Sequence, residues 1–297
     1  MGADNLPIFK GIATALITPF KGNDIDFDTF GLLIDRQISA GISALVVCGT
    51  TGEASTLSTY EQLKCIEFAI ERANGKVPII GGTGSNCTKK AVELSKSASN
   101  LGCDALLIVT PYYNKTSPEG LIRHYSLIAD SVSNPILLYN VPSRTGMNIP
   151  LFVYEKLSKH GNIMGVKEAS GDISAVSSIR ETCGKNFYIY SGNDDLILKT
   201  LQCGGCGAIS VVSNIMPSET EDICKYYFSN DTKSAQISQD QLLDMIQVLF
   251  CEVNPIPIKC AMKLIGLCSG ELRLPLCPAS PSAREKIATT LKKYKLL

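Results

Sequence analysis

Eight times along the chain a short apolar run gives way to small or polar residues and then to an amphipathic stretch. The runs occupy residues 12–17, 44–47, 77–80, 105–109, 136–139, 163–166, 187–190 and 208–212. Most are about 25 to 30 residues apart, the length of one strand-plus-helix unit. Apolar runs this short, bounded by turn signals, are the pattern of strands buried on both faces in a parallel sheet. Residues 28–40, 58–73, 88–101 and 117–131 carry helical periodicity between them. Ser58-Thr59-Tyr60-Glu61 and Ser117-Pro118-Glu119 place a hydroxyl ahead of a carboxylate, Thr88 precedes another such segment, and Gly41 and Gly102 close helices. Eight units predict an α/β chain folded as a (β/α)8 TIM barrel. An open doubly wound sheet would want a glycine-rich loop after its first strand, where this chain has Thr18-Pro19-Phe20. Past residue 228 the alternation stops, and residues 234–250, 256–267 and 282–294 read as helices. The expected organisation is a barrel over 1–228 and a small helical C-terminal domain over 229–297.

Charge and composition exclude several classes of function. Lys+Arg and Asp+Glu balance at 28 each, so there is no basic footprint for nucleic acid. No run approaches the ~18 apolar residues of a membrane span, and residues 1–9 lack the basic-then-apolar pattern of a signal peptide. A cytosolic protein is expected. The 12 cysteines are scattered, mostly in apolar runs. The one close pair, Cys203 and Cys206, has no second pair at zinc-site spacing, and His124 and His160 are the only histidines. Reduced, buried, unreactive thiols and no structural metal are expected.

In a barrel, chemistry collects at the C-terminal ends of the strands. Those positions hold Thr18, Gly49-Thr50-Thr51-Gly52-Glu53, Gly81-Gly82-Thr83-Gly84, Thr110-Pro111-Tyr112-Tyr113-Asn114, Tyr139-Asn140, Lys167-Glu168, Ser191-Gly192-Asn193-Asp194, and residues 210–214. They are rich in hydroxyls and glycines, and hold neither a histidine nor a carboxylate cluster suited to a metal. Lys167 ends an apolar strand, where desolvation disfavours an ammonium and leaves an amine able to attack a carbonyl. The ordinary alternative is a lysine that snorkels or pairs with Glu168. Thr50 and Thr51 either cap the next helix or, with backbone N–H groups, hold a carboxylate. Gly81-Gly82-Thr83-Gly84 lacks the lysine of a P-loop and reads as a close-packing turn. Tyr112 and Tyr113 serve either packing or the site, whereas the Tyr139 hydroxyl, at the end of a buried strand, needs a partner. Arg144, in a loop stiffened by Pro142 and Gly146, is either solvated or grips a carboxylate with two hydrogen bonds. Together these parts suit a small carbonyl acid: imine formation on lysine, proton transfer by hydroxyls, and carboxylates held by N–H groups and arginine. That chemistry needs no cofactor.

These residues carry a resemblance. The chain resembles the dihydrodipicolinate synthase family, within the pyruvate-dependent class I aldolase superfamily that also holds N-acetylneuraminate lyase. The resemblance is collinear from Gly11 to the C-terminus. Its motifs are Gly49-Thr50-Thr51-Gly52-Glu53, Pro111-Tyr112-Tyr113-Asn114, Tyr139-Asn140-Val141-Pro142-Ser143-Arg144-Thr145-Gly146, Gly165-Val166-Lys167-Glu168-Ala169 and Asn254-Pro255-Ile256-Pro257-Ile258-Lys259. It implies condensation of pyruvate with L-aspartate 4-semialdehyde through a Schiff base on Lys167, in diaminopimelate and lysine biosynthesis. By the same resemblance Tyr139, Thr50 and Tyr113 form a proton relay, with Tyr113 reaching in from a neighbouring subunit of a homotetramer built as a dimer of dimers. Thr51 and the backbone at Ile209 would hold the pyruvate carboxylate, Arg144 the carboxylate of the semialdehyde, and Gly192 would lie near that second substrate. Members inhibited by lysine carry a histidine and a glutamate where this chain has Thr59 and Lys90, although Asn86 and Tyr112 still match. A cationic Lys90 opposes the effector's ammonium, so weak or absent lysine feedback is expected. Two other readings compete: a related aldolase or lyase acting on a sugar-acid aldehyde, and a non-catalytic keto-acid sensor. Arg144 in its loop argues against the first, and the set Lys167, Tyr139 and Thr50 against the second. Glu168 is read as a structural partner.

Overall fold

Eight parallel strands close into a barrel: β1 Gly11–Ala15, β2 Ala44–Val47, β3 Ile79–Gly82, β4 Ala105–Val109, β5 Ile136–Asn140, β6 Ile163–Glu168, β7 Tyr188–Ser191 and β8 Gly207–Ser210. Each pairs with the next, and β8 returns to β1 with Gly11 opposite Gly207. This is a computed structural model, and it describes residues 6–297. Residues 1–5, part of the stretch inspected above for a signal pattern, lie outside the described residues.

All eight expected runs form strands, and the boundaries differ for physical reasons. Pro78 has no N–H to give a ladder, and β3 begins after it. The last apolar run extends to Val212, yet β8 stops at Ser210. The N–H groups of Val211 and Val212 leave the ladder for the carboxylate of Asp194, at 3.0 and 2.9 Å, and a short 3₁₀ turn follows over Val212–Asn214. A small antiparallel pair, Phe20–Lys21 with Asp24–Ile25, is too short to show a period and had no signal in the sequence.

Alternation along each strand separates two apolar layers. Ala13, Ala15, Ala44, Val46, Ile80, Ala105, Leu107, Leu137, Tyr139, Tyr188, Tyr190 and Ile209 fill the barrel interior. Their neighbours, including Ile12, Leu45, Leu106, Ile108, Leu138, Val166 and Ile189, face the surrounding helices. At the β1–β8 seam the backbones approach so closely that a Cβ on Gly207 would fall 1.7 Å from the Gly11 carbonyl oxygen, at a φ of +150°.

The helices follow the expected order. Helix α1 spans Phe27–Ser39, α2 Thr59–Ala73, α3 Thr88–Leu101 and α4 Pro118–Asp130. The short α5 Pro142–Thr145 and α6 Leu151–Leu157 precede α7 Ile173–Cys183, α8 Ile197–Gln202 and α9 Pro217–Phe228. Ser58 and Glu61 form a reciprocal capping box on α2, and Ser117 caps α4. The expectation for Thr88 needs correcting: Cys87 stands at the cap of α3 without a side-chain bond. The Thr88 hydroxyl, inside the helix, meets His124 Nδ1 of α4 at 2.9 Å.

Three further helices, α10 Thr232–Leu249, α11 Ile256–Leu264 and α12 Pro281–Lys293, complete the chain. Leu242, Met245, Leu249, Ile258, Met262, Ile287 and Leu291 from these helices join the same apolar cluster as the outer face of the barrel. A fully buried ion pair between Lys259 of α11 and Glu53 in the loop after β2 ties this region to the barrel mouth. Lys259 also donates to the Glu271 carbonyl at 2.8 Å, and the Arg273 N–H donates to Glu53 at 3.2 Å.

Candidate active site

Lys167 and Glu168 are consecutive on β6, so their side chains leave opposite faces of the sheet. The Lys167 side chain turns inward and is 6% exposed, with Nζ 4.4 Å from the centroid of the Tyr139 ring. Strand register sets that neighbour, since Tyr139 of β5 lies directly opposite Lys167. Glu168 turns outward, where its Oε2 accepts from the Tyr154 hydroxyl and Asn140 Nδ2, both at 3.0 Å. Its Oε1 accepts from the Ser170 N–H at 2.8 Å. Burial and the Glu168 charge hold the Tyr154 phenol well above its ordinary pKa, so it stays a donor. The ion pair between Lys167 and Glu168, the ordinary reading of this stretch, does not form, and Glu168 is the structural partner of Asn140 and Tyr154. Among the described residues Lys167 has no carboxylate within ion-pair distance, which leaves its nitrogen over an aromatic face and open to a carbonyl carbon.

Gly192 makes room for that lysine. A Cβ there would stand 3.1 Å from Lys167 Cε and 2.4 Å from the Ala169 Cβ, while the Gly192 N–H donates to the Glu168 carbonyl at 2.7 Å. The absent side chain and the backbone bond together set how the lysine stem passes the end of β7.

The loop after β2 is tightly wound. Cys48 and Glu53 both adopt left-handed φ, at 57° and 55°, and the Glu53 N–H closes onto the Thr50 carbonyl at 3.1 Å. Thr18 Oγ1 donates to the Gly52 carbonyl at 2.7 Å. Thr50 is half-buried and Thr51 buried. Thr51 Oγ1 accepts from Asn254 Nδ2 at 2.9 Å, and the Asn254 carbonyl accepts from Arg144 Nη2 at 2.9 Å. Arg144 rides on α5, which Pro142 opens and Gly146 closes at a φ of +70°, and its side chain is exposed. One residue between α10 and α11 therefore joins the two positions expected to hold carboxylates.

Ile209 points into the barrel from β8 and is buried. The amides just beyond it are held by Asp194, itself buried at the end of β7. Tyr113 behaves differently: it has a left-handed φ of 69° and is 91% exposed, so within one chain it does not join Lys167 and Tyr139. Thr59 and Lys90 are exposed on helices α2 and α3, and Asn86 is half-buried, its carbonyl accepting from Asn114 Nδ2 at 2.9 Å.

Asn254 and Asp194 are the residues that sequence reasoning left without a role. Asn254 lies 203 positions from Thr51 and 110 from Arg144, so no local pattern could pair them, although its motif marked a conspicuous break between helices. Asp194 was visible only as one polar residue at a strand end.

All 12 cysteines are free. Burial pushes the thiols of Cys103, Cys206 and Cys224 up, and a contact with the Cys65 thiol, then burial, does the same for Cys48, which suppresses the thiolate and its reactivity. Cys87, Cys251 and Cys277 are exposed, which corrects the expectation of buried thiols for these three. Among the described residues no group of three or more His, Cys, Asp or Glu is arranged to hold a metal ion.

Comparison with known proteins bears on this geometry. The model of the dihydrodipicolinate synthetase family matches residues 8–294. A 4-hydroxy-tetrahydrodipicolinate synthase of Caldicellulosiruptor saccharolyticus is 50% identical over 290 residues, covering 97% of this chain and 98% of that one. Its counterpart in Thermoanaerobacter sp. (strain X514) is 47% identical over 293 residues, covering 98% and 99%. The crystal structure of dihydrodipicolinate synthase from Aquifex aeolicus superposes with a TM-score of 0.95 at 41% identity, covering 97% of this chain and 99% of that one. That from Thermotoga maritima gives 0.96 at 39% identity, covering 98% and 100%.

Proposed function

The chain belongs to the dihydrodipicolinate synthetase family and is an aldolase-type lyase, and we propose that it joins pyruvate to L-aspartate 4-semialdehyde through a Schiff base on Lys167. The product is 4-hydroxy-tetrahydrodipicolinate, on the route to diaminopimelate and lysine. The observation that carries this reading is the buried Lys167 nitrogen, held over Tyr139 with no carboxylate paired to it.

The chemistry follows from that amine. Nζ attacks the carbonyl carbon of pyruvate, and loss of water gives an iminium. Its positive charge acts as an electron sink, so a methyl proton leaves and an enamine forms. The enamine carbon bonds to the aldehyde carbon of the semialdehyde, whose oxygen takes up a proton. The amine of the second substrate then closes onto the imine carbon and releases Lys167. Protons must move both ways at several steps, which suits hydroxyls that both donate and accept. We assign this relay to Tyr139, Thr50 and Tyr113. Thr51 and the backbone at Ile209 hold the pyruvate carboxylate, and Arg144 takes the carboxylate of the semialdehyde next to Gly192. The Thr51–Asn254–Arg144 chain supports two carboxylate positions joined through one residue. The reaction uses no cofactor.

Tyr113 acts from a neighbouring subunit of a homotetramer, a dimer of dimers. Its near-complete exposure in a left-handed conformation supports a role outside its own chain. Among the described residues no helix is long and apolar enough to cross a membrane. A biosynthetic role supports the cytoplasm as the site of the reaction.

Reduction with borohydride in the presence of pyruvate should leave a covalent adduct on Lys167 and none in Lys167→Ala. Absence of the adduct from the wild-type protein would sink the Schiff-base reading. A coupled assay with aspartate semialdehyde beside N-acetylneuraminate decides the second substrate.

A further inference from the structure

Asp194 is buried to 2% exposure at the C-terminal end of β7. Its Oδ2 accepts from the consecutive N–H groups of Val211 and Val212, at 3.0 and 2.9 Å, which fixes the backbone immediately after Ile209 and Ser210. Its Oδ1 is buried and makes no well-formed hydrogen bond, with the Ser210 hydroxyl the polar side chain beside the carboxylate. A carboxylate oxygen so poorly satisfied in a protein interior is costly, and such a group calls for a reason. Gln239 of α10 donates to the Asp194 carbonyl at 3.0 Å, so the residue's backbone is anchored as well.

We propose that Asp194 is a positioning residue for the imine chemistry, its buried carboxylate gripping the turn that presents the Ile209 backbone and, while ionised, favouring the iminium on Lys167. The inference rests on the Schiff-base reading above and deepens it. An anion near the iminium favours its formation, because the bound state gains a permanent positive charge in a dry site. The same carboxylate fixes the cradle for the pyruvate carboxylate, so one residue serves both ends of the small substrate.

The groups that face this pair are few. Lys167 is the charged side chain whose field reaches Asp194 and lowers its pKa. Burial acts more strongly in the opposite direction, so the group titrates above the ordinary aspartate value. Ser210 and the two amides also favour the carboxylate. Asp195 is exposed, and Glu168 is engaged on the outer face of β6. Tyr139 lies against Lys167 from β5.

Asp194→Asn keeps the shape and removes the charge. We expect the KM for pyruvate to rise by about tenfold or more, since small displacements of a bound carbonyl cost rate steeply. The pH profile of pyruvate trapping by cyanoborohydride supplies the readout that a merely structural role would not move. In the wild-type protein it should show an acid-side break from Asp194, on the neutral side of an ordinary aspartate, in addition to any other break. Asp194→Asn should lose that break. A break that persists unchanged in the variant overturns the proposal, whatever happens to KM.

If Asp194→Asn fails to fold, wild-type protein carrying carboxyl-¹³C aspartate answers the same question. Adding pyruvate should shift one buried aspartate carboxyl resonance, and Lys167→Ala should abolish the response. A spectrum in which no aspartate carboxyl responds to pyruvate overturns the proposal. The two readings fail distinguishably: no adduct on wild-type Lys167 removes both, whereas an adduct with an unchanged pH break removes only the role of Asp194.

Discussion

Two substitutions separate the two ends of the site at the scale of single residues. Arg144→Ala should leave pyruvate trapping on Lys167 intact and raise the KM for aspartate semialdehyde, and equal loss of both would contradict its assignment. Asn254→Ala should do the reverse. Arg144 bonds the Asn254 backbone carbonyl, which alanine retains, whereas the Thr51 hydroxyl loses its side-chain donor. A rise of several-fold in pyruvate KM with little change for the semialdehyde is the expected steady-state result. Lys167, Tyr139 and the threonines were legible in the sequence because each stands where an apolar run meets a polar loop. Asn254 and Asp194 were not, because their meaning lies in partners brought together by barrel closure and by a helix connection from the far end of the chain. Local spacing carries no trace of such contacts.

Helices α3 and α4 carry a pH dependence of their own at the scale of elements. His124 is buried, its Nδ1 meets the Thr88 hydroxyl and its Nε2 has no partner, and burial lowers its pKa from 6.5 to about 4. Below 6.5 the unfolded chain binds a proton that the folded chain refuses. Stability is therefore full above 6.5 and declines as pH falls toward about 4, by up to about 3 kcal/mol. Urea midpoints measured at neutral pH and at pH near 4.5 should converge in His124→Gln relative to the wild-type protein. The clamp between α11 and the loop after β2 predicts a larger effect. Lys259→Met strands the Glu53 carboxylate in the interior, with an expected loss of about 3–5 kcal/mol in denaturant unfolding. Changing Glu53→Gln at the same time should recover part of that loss. The sequence showed the helices at both places without showing what joins them, since a buried ion pair between positions 53 and 259 has no periodic signature.

The barrel itself was the most legible feature at the scale of the whole molecule. Eight apolar runs at nearly even spacing admit few other closures, and chain alternation settles which side chains face inward once the strands are placed. What the sequence left open was how the C-terminal helices sit against the mouth. That seating brings Asn254 to Thr51, and apolar periodicity alone does not set it. Assembly supplies two further tests. Tyr113→Phe should slow turnover without preventing the pyruvate adduct, and mild dissociation of the proposed tetramer should slow it to a similar extent. If dissociated protein kept full activity, Tyr113 would have no part in a neighbour's site. Lysine at micromolar concentration should leave the steady-state rate unchanged, because the resemblance puts Lys90 where an effector's ammonium would need an anion. The space that Gly192 leaves beside the stem of Lys167 reaches beyond this chain. A descendant could inherit every reacting group intact and still be chemically silent, having gained nothing more than a methyl at position 192. In a collection of such barrels, loss of the reaction would show first at a residue with no side chain, and a tally of lysines, tyrosines and threonines would count the inert copy among the active ones.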